Sequence, residues 1–207
     1  MIFPRPHDLL WVTHRQDLDC ADLPWLEACW DPSLPLVVRR DNDGSGRIAV
    51  GVRGERRDQR AAGWIDPAAI VRRVTPEQLV AQAQDQSLPF SQLAPLRAAR
   101  ILASRAWPWG WGITGSTGFA LATGREVLHA DSDLDLTIRA PQALSRERLA
   151  EWQDCISQLP CRADTQVETP QGAFALNEWL RGGAVLLKTN GGPNLTHSPW
   201  LSQGGDK

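Results

Sequence analysis

The most restrictive feature of this chain is a glycine-serine turn followed, after room for one helix, by a pair of aspartates. The first part is Gly115-Ser116-Thr117-Gly118-Phe119-Ala120-Leu121 and the second is Asp131-Ser132-Asp133-Leu134-Asp135-Leu136. Asp133 and Asp135 flank Leu134 in a run of strand formers that continues through Leu136-Thr137-Ile138. Side chains alternate across a strand, so both carboxylates emerge on one face while Leu134 and Leu136 turn to a core. Carboxylate oxygens are hard ligands of the kind Mg²⁺ takes, and two aimed at one point can hold the ion against a triphosphate. Gly115 ends the apolar stretch Trp111-Gly112-Ile113-Thr114, and a helix starting near Thr117 would present its N–H groups to an anion. The expected site has Gly115 and Ser116 at the phosphates and Asp133 and Asp135 at the metal.

Two other glycine motifs overlap this one. Gly110, Gly112 and Gly115 spell a dinucleotide fingerprint, but Trp107-Pro108-Trp109 stands where that motif needs a strand, and proline opposes a central strand. Gly110 to Thr117 spells a Walker loop in which Ser116 occupies the position of the required lysine. Neither motif is satisfied. The remaining pattern, Gly115-Ser116 at a strand-to-helix turn and Asp133-Leu134-Asp135 on the next strand, resembles the nucleotidyltransferase superfamily. That superfamily carries a third carboxylate on a neighbouring strand. Within Arg162-Ala163-Asp164-Thr165-Gln166-Val167-Glu168-Thr169, residues Asp164, Gln166 and Glu168 share a face. The resemblance makes Asp164 the third catalytic and metal-binding acid, with Glu168 in reserve. Such an acid lowers the barrier for a hydroxyl that must lose its proton as it attacks phosphorus.

Length and composition bound the rest. A chain of 207 residues with 42% hydrophobic and 22% charged residues and a formal net charge of −2 is an ordinary globular protein, long enough to bury a core without disulfides or metal staples. Its balance is not that of a nucleic-acid binder. No membrane partner is expected. The N-terminal segment Met1 to His7 lacks the charged-then-apolar pattern of a secretory signal, so the cytoplasm is the expected location. Cys20, Cys29, Cys155 and Cys161 form no C-x-x-C pair and are read as reduced thiols. Ten tryptophans, with no tyrosine, are assigned to cores and interfaces.

Along the chain, Pro35–Arg40 and Arg47–Gly54 flank the turn cluster Asp41-Asn42-Asp43-Gly44-Ser45-Gly46 and predict a hairpin in a small β-rich domain over residues 1–80. Arg53, Arg56, Arg57 and Arg60 follow. They form either a solvated charged loop or a source of substrate-phosphate contacts, with Arg53 the named candidate. Thr75-Pro76-Glu77-Gln78 reads as a helix start running to about Gln86, and Leu93 to Ala106 as a second helix. Residues 81–207 then alternate: strand near Trp111, helix from Thr117, strand from Asp133, helix Ser145–Ser157, strand Arg162–Thr169, helix Ala173–Arg181, strand Ala184–Thr189. The fold class is α+β, a mixed sheet with flanking helices. Lys188, one of two lysines beside Lys207, either neutralises a phosphate or lies on the surface. The four histidines show no metal-site spacing.

A narrower likeness covers nearly the whole chain. Its marks are Arg5-Pro6-His7-Asp8-Leu9, Val50-Gly51-Val52-Arg53-Gly54, the Gly115 and Asp133 motifs, Asp164-Thr165-Gln166-Val167-Glu168-Thr169-Pro170, and Leu187-Lys188-Thr189 before Gly192-Pro193. By these the chain resembles the malonate decarboxylase holo-acyl-carrier-protein synthases, or phosphoribosyl-dephospho-CoA transferases. The resemblance implies transfer of a phosphoribosyl-dephospho-CoA group from its triphosphoribosyl precursor to a serine of the apo acyl-carrier subunit of malonate decarboxylase, with release of pyrophosphate and with Mg²⁺ as cofactor. Two other functions share these residues: a nucleotidyltransferase moving a nucleoside monophosphate to another acceptor, and a nucleotide-binding module without catalysis.

Overall fold

The computed structural model describes residues 3–56 and 58–201. Met1 and Ile2 of the N-terminal segment, Arg57 of the arginine cluster and Lys207 lie outside the described residues. The chain divides into two compact units, Met1–Thr75 and Pro76–Lys207. The predicted helix that starts at Pro76 therefore belongs wholly to the second unit.

The first unit contains β1 (Leu9–Val12), β2 (Leu18–Cys20), helix α1 (Pro24–Cys29), β3 (Leu36–Val38), β4 (Ile48–Arg53), β5 (Arg60–Ile65) and β6 (Ile70–Val74). Its six strands make one sheet in the order β2-β5-β4-β3-β1-β6, with antiparallel neighbours throughout. The expected β3–β4 hairpin is present, with Val37 opposite Gly51 and Val38 opposite Val50. Of the arginine cluster, Arg53 and Arg60 lie on strands. Arg53 and Arg60 face each other across a second hairpin, β4–β5, and Arg56 pairs with Asp58 at its tip at 2.9 Å. Asp8, fully buried, accepts from the Arg5 backbone N–H at 2.8 Å and meets Arg73 of β6 at 2.5 Å. The Arg5-Pro6-His7-Asp8 mark thus anchors β1 to β6, since a buried carboxylate must be paired to remain charged.

The second unit opens with α2 (Pro76–Gln82) and α3 (Ala94–Ala103), both shorter than their predicted spans. It continues with β7 (Gly110–Ile113), α4 (Gly115–Thr123), β8 (Leu134–Arg139), α5 (Arg146–Ser157), β9 (Ala163–Thr169), β10 (Gly172–Ala175), α6 (Leu176–Arg181), β11 (Val185–Thr189) and β12 (Gly192–Thr196). The sheet order is β12-β11-β10-β9-β8-β7, mixed because β8 and β9 run parallel while the other neighbours are antiparallel. An α+β fold with a mixed, helix-flanked sheet is what the sequence pattern predicted.

Two local readings change. Residues 172–175, expected to begin a helix, form β10, because the Pro170-Gln171 turn returns the chain onto β9 and the helix starts only at Leu176. Beyond the predicted strand Ala184–Thr189, Asn190-Gly191 forms a hairpin turn that carries the chain into β12, a strand the sequence reading did not name. The predicted helix Ser145–Ser157 is α5, and Ser145 is its N-cap, the side chain accepting from the Arg148 N–H.

One face of this sheet is the core. Leu134, Leu136, Ile138, Val167, Phe174, Val185 and Leu187 point there and are buried. Trp152 of α5, also fully buried, donates its indole N–H to Thr165 at 2.9 Å and meets Trp107, Trp109 and Trp111 edge-on at 4.7–6.3 Å. This accounts for part of the tryptophan content: four indoles form one cluster, and the buried polar tip has a partner. The candidate functional groups lie on the opposite face.

Candidate active site

Residues paired across a sheet point to the same side, so strand register identifies the groups sharing the acid face. Asp135 on β8 is paired with Asp164 on β9, Thr137 with Gln166, and Arg139 with Glu168. The first of these pairs brings together two acids that the sequence separates. Their Cα atoms stand on adjacent strands, about 5 Å apart by sheet geometry. Asp133 precedes β8 by one residue and is exposed, whereas Asp135 is half-buried. The Asp133 and Asp135 pair therefore consists of an open acid in the loop and a supported one in the strand.

Gly115 supports Asp135. It takes a left-handed φ of +61°, and a Cβ built there would collide with the Asp135 carboxylate. Only glycine allows α4 to begin against that carboxylate. The helix ladder starts with Gly118 N–H donating to the Thr114 carbonyl at 2.9 Å, so the N–H groups of Gly115, Ser116 and Thr117 precede it. Thr114 N–H donates to the Asp135 carbonyl at 2.9 Å, fixing the turn to β8. The N–H end of α4 and a strand carboxylate thus lie side by side. Gly112 permits a second close approach, because a Cβ there would overlap Pro76 and Glu77 at the start of α2.

Glu168 and Asp164 are distinguished by their surroundings. Glu168 is buried and lies 3.8 Å from Arg139, which also binds Glu77 of α2 at 2.8 Å. Asp164 is 42% exposed, and its ion pair with Arg162 at 2.7 Å involves an arginine that is 77% exposed. Such surface pairs are worth at most about 1 kcal/mol, so Asp164 can be released to a ligand. Cys161 adjoins the site. Burial, and secondarily the negative charge of Asp133, hold its thiol above the ordinary value and keep it protonated at neutral pH.

Among the described residues no three His, Cys, Asp or Glu side chains are gathered closely enough to make a ready metal cage. The donor set nonetheless suits Mg²⁺, which is commonly held by one or two carboxylates together with substrate phosphates and water. Asp133 and Asp135 are the carboxylates that would hold such an ion, beside the Gly115 turn. Lys188 is on the same face: Glu168 pairs with Ala173 on β10, and Ala173 with Lys188 on β11, which places Lys188 three strands from β8. Arg53 belongs to the first unit, on β4. Sequence periodicity could not show that Asp135 and Asp164 are neighbours or that Arg139 holds Glu168.

The fold is an α+β domain whose acid face sets paired carboxylates beside a glycine turn. Residues 78–199 match the family described as phosphoribosyl-dephospho-CoA transferase MdcG C-terminal domain, and residues 5–76 match the corresponding N-terminal domain. The chain belongs to the phosphoribosyl-dephospho-CoA transferase family, and by that membership it is a transferase. It is 59% identical over 197 residues to a phosphoribosyl-dephospho-CoA transferase of Klebsiella pneumoniae, covering 95% of this chain and 96% of that protein. Similar relatives bear the same name in Azotobacter vinelandii, at 44% identity over 96% of this chain and 95% of the relative, and in Pseudomonas aeruginosa, at 42% over 95% and 94%. No solved structure matches the chain. No helix among the described residues is long and apolar enough to cross a membrane.

The turn itself can be tested. Ser116→Ala is expected to slow transfer by about tenfold while leaving the enzyme active, the loss of one hydrogen bond to a charged oxygen. Gly115→Ala is expected to cost more, because a left-handed alanine adds about 1–2 kcal/mol of strain and its methyl displaces Asp135. Transfer rates and thermal melts of the two variants separate these effects. Recovery of a nucleotidylated Ser116 would show the serine to be a nucleophile instead.

Proposed function

We propose that this enzyme transfers the phosphoribosyl-dephospho-CoA group from 2'-(5-triphosphoribosyl)-3'-dephospho-CoA to a serine of the apo acyl-carrier subunit of malonate decarboxylase, releasing pyrophosphate. The observation that carries this reading is the pairing of Asp135 with Asp164 beside the Gly115-Ser116 turn. Transfer needs a leaving-group cradle and a proton acceptor on either side of one reacting phosphorus, and the reading is supported by Gly115 and Asp164 lying on opposite sides of Asp135.

In the reaction the serine oxygen forms a bond to the α-phosphorus of the triphosphate. The bond from that phosphorus to the oxygen bridging toward the β-phosphate breaks, and pyrophosphate leaves. The N–H groups at the start of α4 and the Ser116 hydroxyl receive the departing phosphates, positioned before the bond breaks. Asp164, the more open of the two candidate third acids, takes the serine proton. Glu168 stays with Arg139 and keeps β8 and β9 in register under the site. Asp133 and Asp135 would hold Mg²⁺, which when bound neutralises charge on the triphosphate oxygens.

Incubating the purified enzyme with the apo carrier subunit, the triphosphoribosyl precursor and Mg²⁺ tests this reading by intact mass. The carrier should gain the mass of one phosphoribosyl-dephospho-CoA group on serine, with one pyrophosphate released. An unmodified carrier under conditions where the precursor is bound would reject it.

A further inference from the structure

The acid face does not end at Asp164. From Glu168 the pairing runs through Ala173 on β10 and Lys188 on β11 to Pro193 on β12, and one rung away Leu186 pairs with Leu195. Leu186 and Lys188 are two apart on one strand, so both face the same side as the acids. On the core face of these strands Val185 and Leu187 are buried, whereas on the acid face Leu186 is 40% exposed, Leu195 is 69% exposed and Lys188 is exposed. Two adjacent exposed leucines form an apolar patch between Lys188 and the Glu178 carboxylate, which accepts from the Leu186 N–H at 3.2 Å, and an apolar centre with a charged rim is a pattern that marks contact surfaces.

Its position relative to the reacting groups indicates what would cover it. The phosphate cradle at Gly115 lies toward the β7–β8 edge, whereas Leu186 and Leu195 lie beyond Asp164 toward the β12 edge. Strand spacing puts Leu186 about 10 Å and Leu195 about 14 Å across the sheet from β9, in the row of Gln166, one rung or about 7 Å along the strand from Asp164. In-line displacement at phosphorus requires the attacking oxygen to arrive opposite the leaving group. If pyrophosphate leaves toward α4, the attacking hydroxyl arrives from the β10–β12 side.

We propose that the β11–β12 hairpin is the docking surface for the protein acceptor: Leu186 and Leu195 seat an apolar side chain of the acceptor, and Lys188 pairs with a carboxylate beside it. This rests on the transfer reading above. It moves Lys188 from the leaving phosphates to the acceptor, and it makes the hairpin the element that selects which protein is modified. A patch a few strands wide, centred beyond Asp164, matches an acceptor that must bring one serine to that acid.

Leu195→Asp and, separately, Leu186→Asp test this in the full chain. Both positions are exposed, so the variants should keep wild-type thermal melts. The expected result is a rise of about tenfold or more in KM for the apo carrier, with kcat at saturating carrier and the calorimetric Kd for the triphosphoribosyl precursor unchanged. An unchanged carrier KM beside active wild-type transfer would overturn the docking surface and leave the transfer reading intact. Weakened precursor binding with unchanged carrier KM would assign the patch to the donor and also overturn it. A wild-type dimer dissociated by Leu195→Asp with carrier KM unchanged would make the patch a self-association surface, again against the proposal. Absence of wild-type transfer to the carrier would defeat both readings.

Discussion

Asp135→Asn is expected to fold normally and to lose at least two to three orders of magnitude in transfer rate, on the order of 3–4 kcal/mol of transition-state stabilisation. The amide keeps the side chain's shape beside Gly115, where a Cβ would already collide with the carboxylate, so the change removes charge rather than packing. Asp133→Asn should fall by a similar factor. Asp133 is exposed and depends less on its neighbours, so its loss should disturb the melting temperature less than that of Asp135. Single-turnover transfer at saturating Mg²⁺, with a melt on each variant, decides the matter. Near-normal turnover in either variant would remove that residue from the metal pair.

Asp164→Asn should separate binding from chemistry. Asp164 stands beside Asp135, and among the described residues its carboxylate pairs with the exposed Arg162, so losing its charge leaves the Gly115 turn and the Asp133 and Asp135 pair in place. Calorimetry with the triphosphoribosyl precursor and Mg²⁺ should give nearly wild-type affinity. Single-turnover transfer to the carrier should be slower by about two orders of magnitude, the contribution of a positioned general base. Glu168→Gln should leave transfer much closer to normal. Glu168 is buried against Arg139, and its substitution weakens a structural pair, which should appear as a lower melting temperature. A slow Glu168→Gln beside an active Asp164→Asn would move the proton acceptor to Glu168 and require that Arg139 release it.

The features legible in the sequence were those that one segment determines by itself. Asp133, Asp135 and the trio Asp164, Gln166 and Glu168 could be placed on common faces because alternation along a strand is local. The Gly115-Ser116 turn was legible for the same reason: a strand-to-helix turn at a glycine depends on a few neighbouring residues. Composition and the spacing of such segments were enough for an α+β class.

Tertiary structure decided everything that depends on which strands meet and in what register. Periodicity does not choose among Asp164, Gln166 and Glu168, which share a face; the register of the folded sheet sets Asp164 opposite Asp135, and a one-residue shift of β9 would turn all three into the core. The burial of Glu168 depends on Arg139 and Glu77, which are far apart in the chain and meet only because Gly112 lets α2 approach β7. Residues 172–175 became a strand because a turn at Pro170-Gln171 offered β9 as a partner, which helical periodicity does not register. Lys188, ambiguous as a single residue, acquired a side, a row and two exposed leucine neighbours only when β10, β11 and β12 were laid beside the acids.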